Sequence, residues 1–125
     1  MTILIDNFPE TLGSLLFESA NNWDSNAALV LYERDNGSWT YQELWDNSSR
    51  VALYLRTIGV CKGDRVIIWG DNRPEWVAAF FGVVLIGAIV VPLDAQSTNE
   101  FFSLIDKETQ PSFMFLGSEQ QSRIE

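Results

Sequence analysis

Four polar residues stand where an α/β protein would bind a ligand. Asp71, Asn72 and Arg73 follow the apolar run Arg65–Trp69, which is typical of a buried parallel strand. Asp94 follows a second apolar run. Because α/β sheets bind ligands outside the carboxyl ends of their strands, these side chains could contact a substrate or a neighbouring loop.

A structural role accounts for the same residues, and we favour it. Asn72 would cap the helix that begins at Pro74, and Arg73 would pair with a nearby carboxylate. Asp94 would serve only as a loop residue beyond its strand. We therefore expect no catalytic or cofactor-binding residue in this chain and keep these four as substrate-binding candidates.

Other possible reactive groups also favour structural interpretations. Gly82–Gly87 has the glycine spacing of a phosphate-binding loop, but Ala88 and Ile89 replace the required lysine and hydroxyl residue. Cys61 beside Lys62 could have an activated thiol, yet no base accompanies it. For the tryptophans, core packing is a better explanation than a stacking platform for adenine or a sugar; they are Trp23, Trp39, Trp45, Trp69 and Trp76.

Composition excludes several classes of function. The formal charge of −9 and the scattered basic residues argue against nucleic acid as a partner. The absence of histidine excludes histidine triads and histidine metal sites, and a single cysteine cannot complete a structural zinc site. One cysteine and the lack of a basic leader in Met1–Phe8 favour a cytoplasmic location.

The uncharged stretch Trp76–Leu93 requires a membrane test. Its 18 residues reach the lower limit for a spanning helix. Gly87, the β-branched run that follows it and Pro92 instead predict a buried helix followed by a buried strand. We therefore expect no membrane span.

The amino-terminal third predicts a helix, a β-hairpin and a second helix. Thr11 can cap a short helix with Leu12, Leu15 and Leu16 on one face. Ala27–Arg34 is predicted to be a strand, followed by a turn at Asn36-Gly37 and a second, short strand that begins at Trp39. Thr40 and Glu43 form a capping box for a helix that ends at Gly59. The inner face of this helix comprises Tyr41, Leu44, Trp45, Ser48, Val51, Ala52, Leu55 and Ile58.

The rest of the chain alternates strands and helices. The predicted strands are Arg65–Trp69, Ala88–Leu93 and Phe113–Leu116, and the predicted helices are Pro74–Ile86 and a helix capped by Asn99 that ends at Lys107. This order predicts an α/β fold: a layered, mostly parallel sheet with helical crossovers, plus the hairpin. Ser118–Gln121 reads as another capping box with four residues after it, so we expect the natural polypeptide to continue.

Four ordered motifs resemble the superfamily of acyl-CoA synthetases, peptide-synthetase adenylation domains and luciferases. They are Trp39–Leu44, Gly59–Val66, Asn72–Trp76 and Leu85–Asp94. Asn72–Trp76 is most similar to long-chain fatty acid–CoA ligases. Trp39 replaces an aliphatic residue and Ile86 an alanine of the family pattern.

The resemblance implies an AMP-forming reaction in which a carboxylate attacks Mg-ATP and CoA then displaces AMP. It implies that residues 1–125 are the N-terminal lobe of the adenylating domain, before the phosphate loop and the distant lysine. The parent would use ATP, Mg and CoA, and its remaining adenylating domain and C-terminal domain would be the partners of this lobe. We expect the isolated chain to be inactive and to self-associate.

A second hypothesis is a stand-alone interaction module that kept this lobe and lost catalysis. A stop codon directly after Glu125 would favour the module over the fragment of a ligase. A third, a flavodoxin-type binder, lacks the expected phosphate loop.

Overall fold

The computed structural model describes residues 9–31 and 37–125, which form two layers of helices around a small parallel sheet. The helices are α1 (Leu12–Asn22), α2 (Tyr41–Thr57), α3 (Pro74–Leu85), α4 (Asn99–Thr109) and α5 (Ser118–Ile124). The strands are β1 (Ala27–Leu29), β2 (Trp39–Thr40), β3 (Arg65–Trp69), β4 (Ile89–Leu93) and β5 (Phe113–Leu116). The predicted α/β fold is confirmed.

The sheet is parallel with the strand order β4-β3-β5, so β3 is its central strand. Successive side chains of a strand point to opposite faces. Val66 and Ile68 accordingly pack in a core with α2 and α3, while Ile67 and Trp69 pack in another with Phe102 of α4. Because both faces are covered, the strand is almost wholly apolar.

Helix α3 lies between two packed layers, as its uniformly apolar sequence predicts. Ala79 and Val83 pack against the sheet, in the core that contains Val66 and Ile68. Ala78 packs on the other side of the helix, against Leu16 of α1 and Leu44 of α2. The helix is followed by Gly87 at φ +74°, a conformation that favours glycine. The uncharged stretch is therefore divided into a buried helix and strand β4, and no described helix meets the length and hydropathy needed to span a bilayer.

Helix α2 begins and ends as predicted. The Glu43 N–H donates to Thr40 Oγ1 at 3.1 Å, and the Thr40 N–H donates to Glu43 Oε2 at 2.8 Å. Gly59 has φ +94°. Ile58 departs from the predicted inner face: it is the C-cap residue and is 45% exposed.

The first helix and the hairpin are present with local differences. The Ser14 N–H donates to Thr11 Oγ1 at 3.0 Å, which confirms the cap, but only Leu16 of the three leucines is buried. β1 pairs antiparallel with β2. Strand β1 ends at Leu29, so Val30 and Leu31 depart from the predicted strand Ala27–Arg34. The last residues of that predicted strand and the predicted turn at Asn36 lie outside the described residues.

The predicted caps of α4 and α5 are wrong. Thr98, rather than Asn99, caps α4, because Thr98 Oγ1 accepts from the Phe101 N–H at 3.1 Å. Gly117 is the N-cap of α5 and no side chain caps that helix, so the predicted box at Ser118 does not form.

Trp23 also departs from the expected core packing, since it is 53% exposed.

Candidate functional site

The carboxyl end of β3 is flanked by clefts because the chain leaves neighbouring strands toward opposite faces of the sheet. The loop after β3 leads to α3 on one face, and the loop after β4 leads to α4 on the other. Such divergence opens a crevice at the strand ends. The cleft between β3 and β4, here called the β3–β4 cleft, has a volume of about 520 Å³.

The β3–β4 cleft brings together three of the four predicted residues. Asp71 and Asn72 line one wall with Trp76, and Asp94 lines the other with Ala95 and Gln96. Asp71, Asn72 and Asp94 are all exposed, so their polar groups can reach a ligand or an adjoining segment. Whether they bind substrate stays a prediction.

Arg73 faces a different cleft, between the ends of β3 and β5, with a volume of about 210 Å³. Its Nε lies 3.3 Å from Glu75 Oε2, which confirms the expected pairing with a carboxylate. Both side chains are more than half exposed, so the pair contributes between about 0 and 1 kcal/mol. The pair holds the guanidinium beside Glu75 at the start of α3.

Asn72 does not cap α3, contrary to the prediction. Pro74 occupies the first helical position, and a residue before proline is pushed out of the helical region. Arg73 therefore adopts φ −137° and ψ 159° and is itself the N-cap, without a side-chain hydrogen bond. Asn72 lies one position too early to cap the helix and is left at the cleft wall.

Asp94 is held by backbone and side-chain hydrogen bonds. Its Oδ1 accepts from the Gln96 N–H at 2.7 Å, and its carbonyl oxygen accepts from Trp69 Nε1 at 3.0 Å. No local sequence pattern indicates this partner of Asp94, because the Trp69 bond joins residues 25 positions apart. This contact fixes the backbone of the cleft wall to the central strand.

Two glycines at the strand ends were missed by the sequence analysis. Gly70 follows β3 and Gly117 follows β5, and a Cβ added at Gly70 would lie 3.3 Å from the Gly117 nitrogen. Both line the smaller cleft. A glycine directly after each of two strands was the available signal, because close backbone approach at strand ends favours glycine.

Cys61 and the Gly82–Gly87 segment lie away from these clefts. Cys61 is exposed and precedes β3, at the opposite end of the sheet. Gly82 lies in α3 and packs against Val51 of α2, and Gly87 has the positive φ of a helix end, so each glycine has its own structural role. Among residues 9–31 and 37–125, no three histidine, cysteine or acidic side chains are grouped to hold a metal.

The β3–β4 cleft combines two carboxylates, two side-chain amides and an indole. This set suits the orientation of a polar or cationic group, or of a neighbouring loop. It does not suit phosphate, since Asp71 and Asp94 would repel the anion.

The AMP-binding enzyme family model matches residues 16–125. The chain belongs to this family. Among curated AMP-binding relatives, a crotonobetaine/carnitine–CoA ligase of Salmonella paratyphi A is 33% identical over 101 residues, or 74% of this chain. The chain spans about a fifth of the length of that relative, 20%.

Solved structures carry the same fold. The inhibitor-bound N-terminal domain of FACL13 from Mycobacterium tuberculosis superposes with a TM-score of 0.83 and 26% identity, covering 90% of this chain and 28% of that chain. A Mycobacterium tuberculosis fatty acyl CoA synthetase gives a TM-score of 0.82 with 26% identity, covering 90% and 22%. The resemblance stated from the four motifs is thus confirmed as membership of the AMP-binding family.

Proposed function

We propose that this chain forms the N-terminal lobe of an ATP-dependent carboxylic acid–CoA ligase. The family match over residues 16–125 carries this proposal. The likeness to the FACL13 N-terminal domain supports it, because the overlap with this chain is 90% while the overlap with that domain is only 28%. In the proposed parent, acyl-adenylate formation precedes transfer to CoA.

ATP, Mg and CoA belong to the proposal for the parent and not to a site in this lobe. Phosphate binding needs backbone amides, cations or metal directed at the developing charge. The β3–β4 cleft instead presents Asp71 and Asp94, and Arg73 already lies beside Glu75. We therefore assign those groups to the remainder of the adenylating domain and to the C-terminal domain, and we propose that the isolated chain is inactive.

We propose that the substrate of the parent is a fatty acid. We also propose that the parent is cytoplasmic. The Asn72–Trp76 segment, which resembles long-chain ligases, favours it. One structural relative is named a fatty acyl CoA synthetase. The sequence relative is named for crotonobetaine and carnitine, so the test must compare acids of both kinds.

The experiment uses the protein encoded by the complete gene and the 125-residue chain side by side. Acid-dependent exchange of pyrophosphate into ATP is measured with dodecanoate, palmitate, crotonobetaine and benzoate, followed by acyl-CoA formation. We expect exchange only from the complete protein, and most strongly with a fatty acid. Preference for another acid refutes the substrate class, and no exchange with any acid refutes the ligase assignment.

A chimera tests the role of the lobe directly. Residues 16–125 replace the corresponding segment of the Salmonella CoA ligase, and circular dichroism and thermal melting confirm that the product folds. We expect a folded chimera to retain ligase activity, because the lobe would supply fold and cleft wall. A folded but inactive chimera would contradict the proposed role.

A further inference from the structure

The loop between β4 and α4 forms one wall of the β3–β4 cleft through Asp94, Ala95 and Gln96. Two hydrogen bonds lie within this loop: the Gln96 N–H donates to Asp94 Oδ1, and the Ser97 N–H donates to the Asp94 carbonyl at 2.9 Å. These bonds define a turn but tie the loop only to itself. The position of the wall therefore depends on contacts made from outside.

Three side chains from outside the loop donate to three of its carbonyl oxygens. Trp69 Nε1 donates to Asp94 at 3.0 Å. Gln120 Nε2 donates to Ala95 at 3.2 Å, and Arg123 Nη2 donates to Ser97 at 2.7 Å. Two of these three donors belong to α5. Gln120 is only 1% exposed, so its amide is committed to the protein interior.

Helix α5 is in turn attached to its surroundings. Asn99 Nδ2 donates to the Arg123 carbonyl at 2.7 Å. The Arg123 guanidinium lies 5.0 Å from the centre of the Trp69 indole, which itself stacks on Phe102 at 4.7 Å. A seven-residue helix is not stable alone, so α5 and the loop hold each other in place.

We propose that Gln120 and Arg123 are positioning residues for the β3–β4 cleft. Through the carbonyls of Ala95 and Ser97 they hold the loop, and with it Asp94, against the sheet. Loss of either donor leaves a carbonyl without its partner and lets the loop open locally while the core stays folded. The structural claim concerns this chain alone; its consequence for catalysis rests on the proposed ligase function.

Hydrogen exchange of the 125-residue chain tests the structural claim. Arg123→Met keeps much of the apolar stem and removes the donor and the charge. Arg56→Met, at an exposed position in the last turn of α2, is the matched control. Since a charged donor is lost, we expect exchange over residues 94–98 to accelerate by roughly tenfold or more in Arg123→Met, with α2 and β3 unchanged. Gln120→Met should give the same pattern.

Two results would overturn the claim. The first is unchanged exchange over residues 94–98 in both α5 variants. The second is acceleration by one common factor along the chain, which would show a general loss of stability instead of local release.

The complete enzyme tests the consequence for the reaction. The KM values for ATP and for dodecanoate are measured in Arg123→Met and Arg56→Met, with melting temperatures. We expect Arg123→Met alone to raise at least one KM severalfold with a smaller change in kcat, because the released loop would no longer support the adjoining segments of the adenylating domain that bind ATP and the acid. Unchanged kinetics would refute the consequence. A complete wild-type protein without ligase activity would refute the proposed function instead, while hydrogen exchange still decides the structural claim.

Discussion

Replacement of Gly82 by alanine tests the close contact between α2 and α3. A Cβ at this position would lie 2.4 Å from Val51 Cγ1, 2.6 Å from Val51 Cβ and 3.1 Å from the Ser48 carbonyl oxygen. Carbon atoms normally pack at about 3.5–4.0 Å, so the helices must separate by roughly 1 Å. Val51 cannot rotate freely out of the way, because a β-branched residue in a helix has one strongly preferred rotamer.

Two opposing effects set the magnitude of this change. Overpacking a core costs about 1–3 kcal/mol, and the rigid neighbours place Gly82→Ala near the upper end. Alanine regains about 1 kcal/mol of helix propensity relative to glycine. The expected net loss is about 2 kcal/mol, which corresponds to a fall of roughly 8 °C in the melting temperature of a chain of this length.

Urea unfolding and thermal melting measure the effect, and Val51→Ala supplies the test of mechanism. In the Gly82→Ala background, Val51→Ala removes the collision with Cγ1 but keeps Cβ, so it should lower stability less than it does in the wild-type background. Gly59→Ala is the control that separates backbone strain from a steric clash. Gly59 has φ +94°, which strains any residue with a side chain, but an added Cβ there would meet nothing within 4 Å. The steric argument fails if Gly82→Ala is as stable as the wild type, or if Val51→Ala has the same effect in both backgrounds.

Three further predictions follow from the described contacts. Thr40→Ala should lower the free energy of unfolding by about 1 kcal/mol in urea titration, because it removes the acceptor for the Glu43 N–H. Ser48→Ala should leave stability unchanged or raise it in the same assay, since the buried Ser48 Oγ has no partner among the described residues. The isolated chain should self-associate in sedimentation velocity, because Phe101 and Leu104 expose apolar surface on one side of α4; a strictly monomeric profile at high concentration would contradict this.

Much of the fold could be predicted because its signals are local. The Thr40–Glu43 box depends on residues three positions apart, and Gly59 and Gly87 have the positive φ expected at helix ends. The apolar runs that became β3 and β5 were predicted with the observed bounds. Each of these features is determined by a few neighbouring residues.

The errors arise where several residues could perform one task. Thr98 and Asn99 can both cap a helix. Thr98 has the extended backbone of an N-cap, with φ −75° and ψ 160°, and the Asn99 side chain instead donates to the Arg123 carbonyl. Helix α5 has no side-chain cap and is attached instead by long-range bonds that Gln120 and Arg123 donate to the β4–α4 loop. These partners lie about 25 residues away in sequence, so no local pattern reveals them.

The sequence predicted which residues lie at the candidate site but not how they are divided between two clefts. Placement of polar residues after two strands sufficed to bring Asp71 and Asp94 to one cleft, because parallel strands end at the same edge of a sheet. The placement of Arg73 in the other cleft could not be predicted without the strand order β4-β3-β5, and no local sequence pattern specifies that order.

The division of β3 between two cores restricts how this part of the gene can change. Val66 and Ile68 serve one core, and Ile67 and Trp69 serve the other. Insertion or deletion of a single codon within the strand would exchange the two sets and turn the Trp69 indole toward α3, away from the Phe102 ring and the Asp94 carbonyl that it now contacts. We therefore expect length variation among natural homologues to fall in the loops on either side and to be purged from the strand itself.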